Sequence, residues 1–225
     1  MGPGSRETFA RDDSRRVGAV ESLMPLQSRV DPFGNLFATP ARGTLMGNRG
    51  GRLHDDERRL TARRWASKQW ICCVLASNNR HRKVWGEGYT ELFFLDEVTA
   101  FAAGHRPCFE CRRKDALLFA RLFSGRPQRA SAATMDEALH AERLDGKAKR
   151  THRRKIDTLP DGAMIALGGE AYAVRGKHLL RWTPSGYSGK RARPRGLTVE
   201  ALTPPSMLAV LARGFVPRWH ASAGS

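Results

Sequence analysis

Two cysteines separated by two residues stand in the stretch AGHRPCFECRR, residues 103–113. A Cys-x-x-Cys at a proline-bearing turn lets both thiolates face one point, which is the usual half-site for tetrahedral zinc. Two other interpretations stay open from the residues alone: a redox dithiol, or a pair of buried thiols without metal. Because no βαβ pattern surrounds Cys108 and Cys111, the redox dithiol is the least favoured of the three.

The second half of a zinc site must come from elsewhere in the chain. The apolar run KQWICCVLA (68–76) predicts a strand that carries two adjacent cysteines. Neighbouring strand residues point to opposite faces, so both could bind one metal only through a bulge. Otherwise His81, His105 or a water would supply the fourth ligand. The predicted zinc ligands are Cys72, Cys73, Cys108 and Cys111.

The longer stretch FFLDEVTAFAAGHRPCFECRR resembles the second half of the Ada-type metal-binding domain of DNA repair, over residues 92–113. In that family four cysteines hold zinc and one of them accepts a methyl group from a DNA phosphotriester. Cys108 and Cys111 match the second ligand pair. The first pair is spaced Cys-x-x-x-Cys in the family but adjacent here, and His105 stands where the family has an aromatic residue. The resemblance implies a zinc knuckle and a DNA partner, and we do not extend it to alkyl transfer.

The charge balance also indicates nucleic acid. The chain has 39 Lys and Arg against 22 Asp and Glu, a net charge of +17. Of these cations 31 are Arg, whose planar fork suits phosphate oxygens and base edges. A GC-rich genome, whose codons favour Arg over Lys, would explain the choice of Arg, but not the net charge. The favoured partner is DNA, with RNA as the alternative, and each cation could instead belong to an ordinary solvated face. The predicted nucleic-acid contacts are Arg58, Arg59, Arg63, Arg64, Arg106, Arg112, Arg113, Arg150, Arg153 and Arg154.

A second function is a DNA-acting hydrolase, such as a nuclease or base-processing enzyme. The stretch TMDEALHAERLDG predicts a helix capped by Thr134, with Asp136 and His140 on one face and Glu142 close by. A carboxylate beside a histidine can act as an acid–base pair or hold a divalent ion. More often such a pair is a surface salt bridge, so the function as an enzyme stays open.

The predicted fold class is α+β in three parts. Residues 1–28 form a mobile tail, 29–146 an Ada-like zinc-knuckle and helical domain with a helix beginning at Asp55, and 147–225 a basic linker with a small SH3-like β-unit closed by a helix. No apolar run reaches the length of a membrane span, and the N-terminal residues contain no apolar h-region of the kind that a signal peptide needs. We therefore expect a cytoplasmic, nucleoid-associated protein without a membrane partner. The sequence leaves its oligomeric state open.

Overall fold

The computed structural model describes Met1 and residues 25–76 and 84–224. Most of the predicted tail and the candidate ligand His81 therefore lie outside the described residues. Within the described part the protein is α+β, as predicted, with four α-helices and three β-sheets. None of these helices is both long and apolar enough to cross a membrane.

The first sheet contains the strand that carries the adjacent cysteines. Its strands are β1 (Arg29–Val30), β2 (Leu36–Phe37), β3 (Leu45–Asn48), β4 (Ile71–Val74), β5 (Leu92–Phe94) and β6 (Arg106–Pro107). Their order is β2-β1-β5-β3-β4-β6. The close approach of β3 and β4 requires glycine at position 47, where a Cβ would come within 2.1 Å of the Ile71 carbonyl oxygen. Because β6 pairs in parallel with β4, the Cys-x-x-Cys turn follows directly beside the cysteine strand.

Four helices cover this sheet and the next. They are α1 (Glu97–Ala102), α2 (Arg113–Ser124), α3 (Ala132–Arg143) and α4 (Pro205–Ala212). Helix α1 begins at Asp96, whose carboxylate accepts a 2.9 Å hydrogen bond from the Thr99 N–H. It ends just before Gly104, which has a φ of +84° that favours glycine. The local stretch LDEVTAFAAG is typical of such a short helix with a glycine stop.

Two predicted helix starts are wrong. No helix begins at Asp55, because its carboxylate accepts the Arg59 N–H at 2.8 Å and closes a turn instead. Helix α3 is capped by Ser131, whose hydroxyl accepts the Thr134 N–H at 3.1 Å. Thr134 is thus the third residue of the helix rather than its cap.

The second sheet is an antiparallel arrangement of six strands after residue 150. The remaining strands are β7 (Leu144–Asp145), β8 (Ala148–Lys149), β9 (His152–Lys155), β10 (Met164–Leu167), β11 (Glu170–Arg175), β12 (His178–Thr183), β13 (Gly186–Ala192) and β14 (Thr198–Ala201). Strands β7 and β8 form a separate hairpin, and the large sheet has the order β13-β12-β11-β10-β14-β9. The basic run 147–155, predicted as a linker, supplies β8 and β9.

Core packing joins the two parts of the chain on either side of residue 147. Phe101 and Phe119 share one buried cluster with Met207 and Phe215 from the C-terminal helix region. A second cluster joins α1 to strands β10 and β11. Trp182 extends this second contact, since its indole N–H donates to the Thr99 hydroxyl at 3.0 Å. The predicted boundary at 146/147 is therefore bridged by apolar cores.

Candidate metal centre

Strand β4 presents its two adjacent cysteines to opposite faces of the sheet, as strand alternation requires. Cys72 is fully buried in a core cluster that includes Phe94. Its sulfur lies 3.7 Å from the Nη1 nitrogen of Arg112. Cys73 faces the opposite side, where the Cys-x-x-Cys turn lies. The predicted set of four cysteines is therefore corrected to three, because Cys72 belongs to the core.

The Cys-x-x-Cys turn is fixed to β4 by backbone hydrogen bonds. The Cys108 N–H donates to the Cys72 carbonyl at 3.0 Å, continuing the pairing of β4 with β6. The Arg112 N–H then donates to the Cys108 carbonyl at 3.1 Å, just before helix α2. The Glu110 N–H points at the Cys108 sulfur, 3.4 Å away. The turn thereby brings the thiols of Cys108 and Cys111 next to that of Cys73.

The three sulfurs of Cys73, Cys108 and Cys111 all lie within 4.8 Å of one another. Sulfurs around a tetrahedral zinc, with bonds of about 2.3 Å, are about 3.8 Å apart. Small side-chain adjustments would bring the sulfurs to that spacing. Thiolate donors suit zinc and other soft ions rather than Mg²⁺ or Ca²⁺. The cluster can therefore hold one metal ion.

Of the three thiols, that of Cys108 has its pKa lowered by its neighbours. Hydrogen bonding from the Cys73 thiol and from backbone N–H groups lowers the pKa of Cys108 to about 5. The same hydrogen bond, together with burial, raises the pKa of Cys73, and burial raises that of Cys111. One thiolate shared by two thiols is an arrangement in which a cation can replace the remaining protons.

None of the candidates for a fourth ligand joins the cluster within the residues that the structure describes. His105 is fully buried between Trp70 and Phe94, at ring-centroid distances of 4.9 and 4.7 Å. Its Nε2 lies 3.5 Å from the Nε of Arg49. His81 lies outside the described residues. The described part of the chain thus supplies three ligands.

The predicted catalytic residues lie close on α3 but serve three separate contacts. The Asp136 carboxylate forms two hydrogen bonds of 2.8 Å with the Arg106 guanidinium. Glu142 accepts hydrogen bonds from the backbone and the hydroxyl of Ser206 at 2.8 and 2.6 Å. His140 Nδ1 lies 3.0 Å from Nη2 of Arg143. No hydrogen bond between Asp136 and His140 is present among the described residues, so the expected acid–base pair is not assembled.

The predicted phosphate-binding arginines divide into buried and exposed groups. Arg106 is 1% exposed and pairs with Asp136, while Arg112 is 3% exposed and pairs with Glu97 at 2.6 Å. These two predictions are wrong, because each guanidinium is buried in an ion pair. Neither can reach a phosphate unless that ion pair breaks. The arginines that are exposed or half-exposed are Arg58, Arg59, Arg63, Arg64, Arg113, Arg150, Arg153 and Arg154.

Two buried arginines and the half-buried Lys149 lie around Trp70, an arrangement that the sequence does not indicate. The guanidinium carbons of Arg49 and Arg143 lie 4.1 and 4.0 Å from the indole ring centroid. Lys149 donates to the Ala102 carbonyl close by. Burial, with repulsion from the two arginines, lowers the pKa of Lys149 to about 7. No local pattern signals this group, because Arg49 and Trp70 lie far along the chain from Arg143 and Lys149.

Comparison of the chain with protein-family models, curated proteins and solved structures finds no match. The resemblance to the Ada-type domain therefore remains a prediction that rests on residues 92–113.

Proposed function

We propose that this protein is a zinc protein that binds DNA through an Arg-rich surface, in DNA repair, modification or maintenance. The observation that carries the metal half of the proposal is the convergence of three sulfurs within 4.8 Å. Zinc is favoured because Cys-x-x-Cys turns supply its common thiolate ligands and because it prefers sulfur donors in a compact tetrahedral site. An ion at this position would join β4 to the turn before α2 and stabilise the knuckle.

Metal content distinguishes the three-cysteine site from the four-cysteine one. Protein purified without chelator should contain one zinc per chain by elemental analysis. Cys108→Ser should lose the metal, because it removes one of three thiolates, whereas Cys72→Ala should keep it. If Cys72→Ala also lost the metal while remaining folded by circular dichroism, the assignment of Cys72 to the core would be wrong. Wild-type protein without metal would remove the zinc half of the proposal.

The proposed DNA surface lies in the C-terminal part of the chain, where the positive charge is concentrated. Residues 147–225 hold fifteen Lys and Arg against four Asp and Glu, whereas residues 29–146 hold twenty against fourteen. Arg150 and Arg153 are exposed, and Arg153 lies on β9, an edge strand of the second sheet. Exposed cations on a rigid edge can contact phosphates without a conformational change.

Salt-dependent DNA binding tests this location. The protein should bind a fluorescently labelled duplex with an affinity that falls steeply as salt rises, because bound phosphates release counterions. Arg153→Gln should lower the slope of log affinity against log salt by about 1. Arg59→Gln is the matched control, since Arg59 already pairs with Asp55 and Glu57. If the slope fell equally in both variants, the DNA surface would lie elsewhere than at β9. If the protein did not bind the duplex, the DNA half of the proposal would be refuted.

The same incubations test the alternative, a DNA-acting hydrolase. Products are resolved on denaturing gels for nicks and by mass spectrometry for altered or missing bases. Intact DNA is expected, because Asp136, His140 and Glu142 are each engaged in structural contacts. Cleavage or base change that disappears in His140→Ala would establish the enzyme instead. A single-stranded DNA and an RNA of the same sequence, tested in parallel, would show which nucleic acid is preferred.

A further inference from the structure

The cysteine cluster borders a cavity of about 240 Å³. Cys73, Cys108 and Cys111 form one part of its wall. Among the described residues, the rest of the wall combines six apolar side chains with the polar side chains of Asn48, Tyr89, Glu91 and Glu110. The apolar lining residues are Met46, Ile71, Val74, Leu75, Val84 and Phe93. A metal held by the three sulfurs would therefore lie at the edge of a space large enough for a small organic molecule.

One wall of the cavity carries a fixed carboxylate. Glu91 is 5% exposed and lines the cavity, and its Oε2 accepts the Trp85 N–H at 2.8 Å. The Trp85 indole N–H donates to the Glu91 carbonyl at 2.9 Å. Trp85 has a φ of +58°, a conformation that costs free energy in a non-glycine residue and persists only where its surroundings impose it. These contacts hold the Glu91 carboxylate in place at the cavity wall, where it offers an acceptor to a ligand that carries a donor.

A metal ion bound by the three sulfurs would contact the opposite end of a ligand that donates to Glu91. The charge of this metal site determines which donor atom is favoured there. Three thiolates on a divalent ion give a complex of charge −1, and the nearby Glu91 carboxylate adds to the negative potential. A neutral nitrogen donor therefore completes tetrahedral coordination at a lower electrostatic cost than another anion. Size limits the molecule as well, since pockets for drug-sized ligands span roughly 300–1,000 Å³. The cavity therefore suits a molecule smaller than a drug, of the size of a single ring system.

We propose that the cavity binds a small amino-substituted nitrogen heterocycle, of the size of a nucleobase, whose ring nitrogen completes the coordination of the metal while its amino group donates to Glu91. The proposal rests on the metal half of the proposed function. It differs from the phosphate contacts of the C-terminal surface, since it concerns recognition of a single base by the knuckle.

Matched pairs of free heterocycles test the proposal with two readouts. Zinc-loaded protein is titrated by calorimetry with adenine against purine, and with cytosine against 2-hydroxypyrimidine, so that each pair differs in the amino group. One aminated base should bind at least about tenfold more tightly than its partner, since a hydrogen bond to a buried carboxylate is strong. In cobalt-substituted protein the same base should shift the visible absorption bands, which report the ligands of the metal.

Variants of one loop provide the control. Glu91→Gln should remove most of the discrimination between the two members of a pair, because the neutral amide is a weaker acceptor. Glu87→Gln, an exposed position in the same loop, should leave it unchanged. Metal content is measured on every sample, so a protein without metal counts against the proposed function and not against the cavity. A metal-loaded protein that binds neither base, or binds without any change in the cobalt spectrum, overturns the inference.

Discussion

The two parts of the chain use arginine in opposite ways. Among the described residues of 29–146 five arginines are buried: Arg29, Arg49, Arg106, Arg112 and Arg143. Among the described residues after 149, no Lys or Arg is buried. The first part therefore uses much of its positive charge inside the fold, while the second presents its charge to solvent. The net charge of a chain does not give the charge of its surface, and a DNA interface has to be sought where the cations remain exposed.

Three of the five buried arginines have partners that explain why they are tolerated in the core. Arg106 and Arg112 meet the carboxylates of Asp136 and Glu97, which offset the loss of hydration. Arg143 donates to the carbonyls of Gly104 and Lys68 at 2.9 and 2.7 Å. These contacts join α3 to β6 and to the loops beside the first sheet, and they join the start of α2 to α1. The inward arginines are thus part of the scaffold of the metal centre.

The largest expected effect comes from breaking one inward pair. Asp136→Asn leaves the Arg106 guanidinium buried without its counter-charge and should lower the free energy of unfolding by about 3 kcal/mol. The measurement is urea unfolding followed by tryptophan fluorescence. Glu137→Gln is the matched control on the same helix, because its partner Lys68 and its own carboxylate are exposed, and it should cost less than about 1 kcal/mol.

A double variant separates the charge from the packing. Replacing both partners, as Arg106→Met with Asp136→Leu, removes the buried charges together and should recover most of the lost stability. If Asp136→Asn were as stable as the wild type, or the double variant as unstable as the single one, the pair would not be the reason that Arg106 is buried.

How far the sequence could predict this structure depends on how local each signal is. Helix α1, with Asp96 at its start and Gly104 after its end, follows from neighbouring residues and was predictable. So were the strand that carries Cys73 and the turn that carries Cys108. Strand alternation already indicated that Cys72 and Cys73 would not bind one metal without a bulge.

The partners of the charged residues could not be predicted in the same way. Whether Arg106 meets a phosphate or Asp136 is decided by how α3 packs on the sheet, and no residue near Arg106 encodes that contact. The same holds for Lys149, which belongs to a run of cations that indicated a solvated linker. It becomes half-buried because β8 folds back near α1, where its ammonium donates a hydrogen bond to the Ala102 carbonyl. Tertiary contacts therefore decided the outcome wherever a charged side chain was concerned.

The next effect is a pH dependence caused by Lys149. Its pKa is lowered by burial and by Arg49 and Arg143 from 10.5 to about 7. Between these values the unfolded chain holds a proton that the folded chain has lost, so stability rises with pH. Relative to Lys149→Met, the wild type should gain on the order of 2 kcal/mol from pH 7 to pH 10, allowing for the half-exposed stem. Urea unfolding across that range measures the difference.

The control for Lys149 lies in the same hairpin. Lys147 is exposed, so Lys147→Met should change stability by the same amount at every pH. A wild type that lost stability relative to Lys149→Met as pH rose would show that Lys149 is charged and paired in the folded state.

The smallest effect on stability is expected for the exposed arginines, because folding does not depend on their charge. Arg153→Gln should leave the urea midpoint within experimental error of the wild type, because its guanidinium is exposed and no ion pair of the described residues uses it. Arg59→Gln should also leave it nearly unchanged, since its pairs with Asp55 and Glu57 lie in solvent, where they stabilise little. The two variants are therefore expected to differ in DNA affinity but not in stability. If Arg153→Gln instead unfolded at clearly lower urea, its cation would serve the fold, and the contrast between the two parts of the chain would fail at the strand where the DNA surface is proposed.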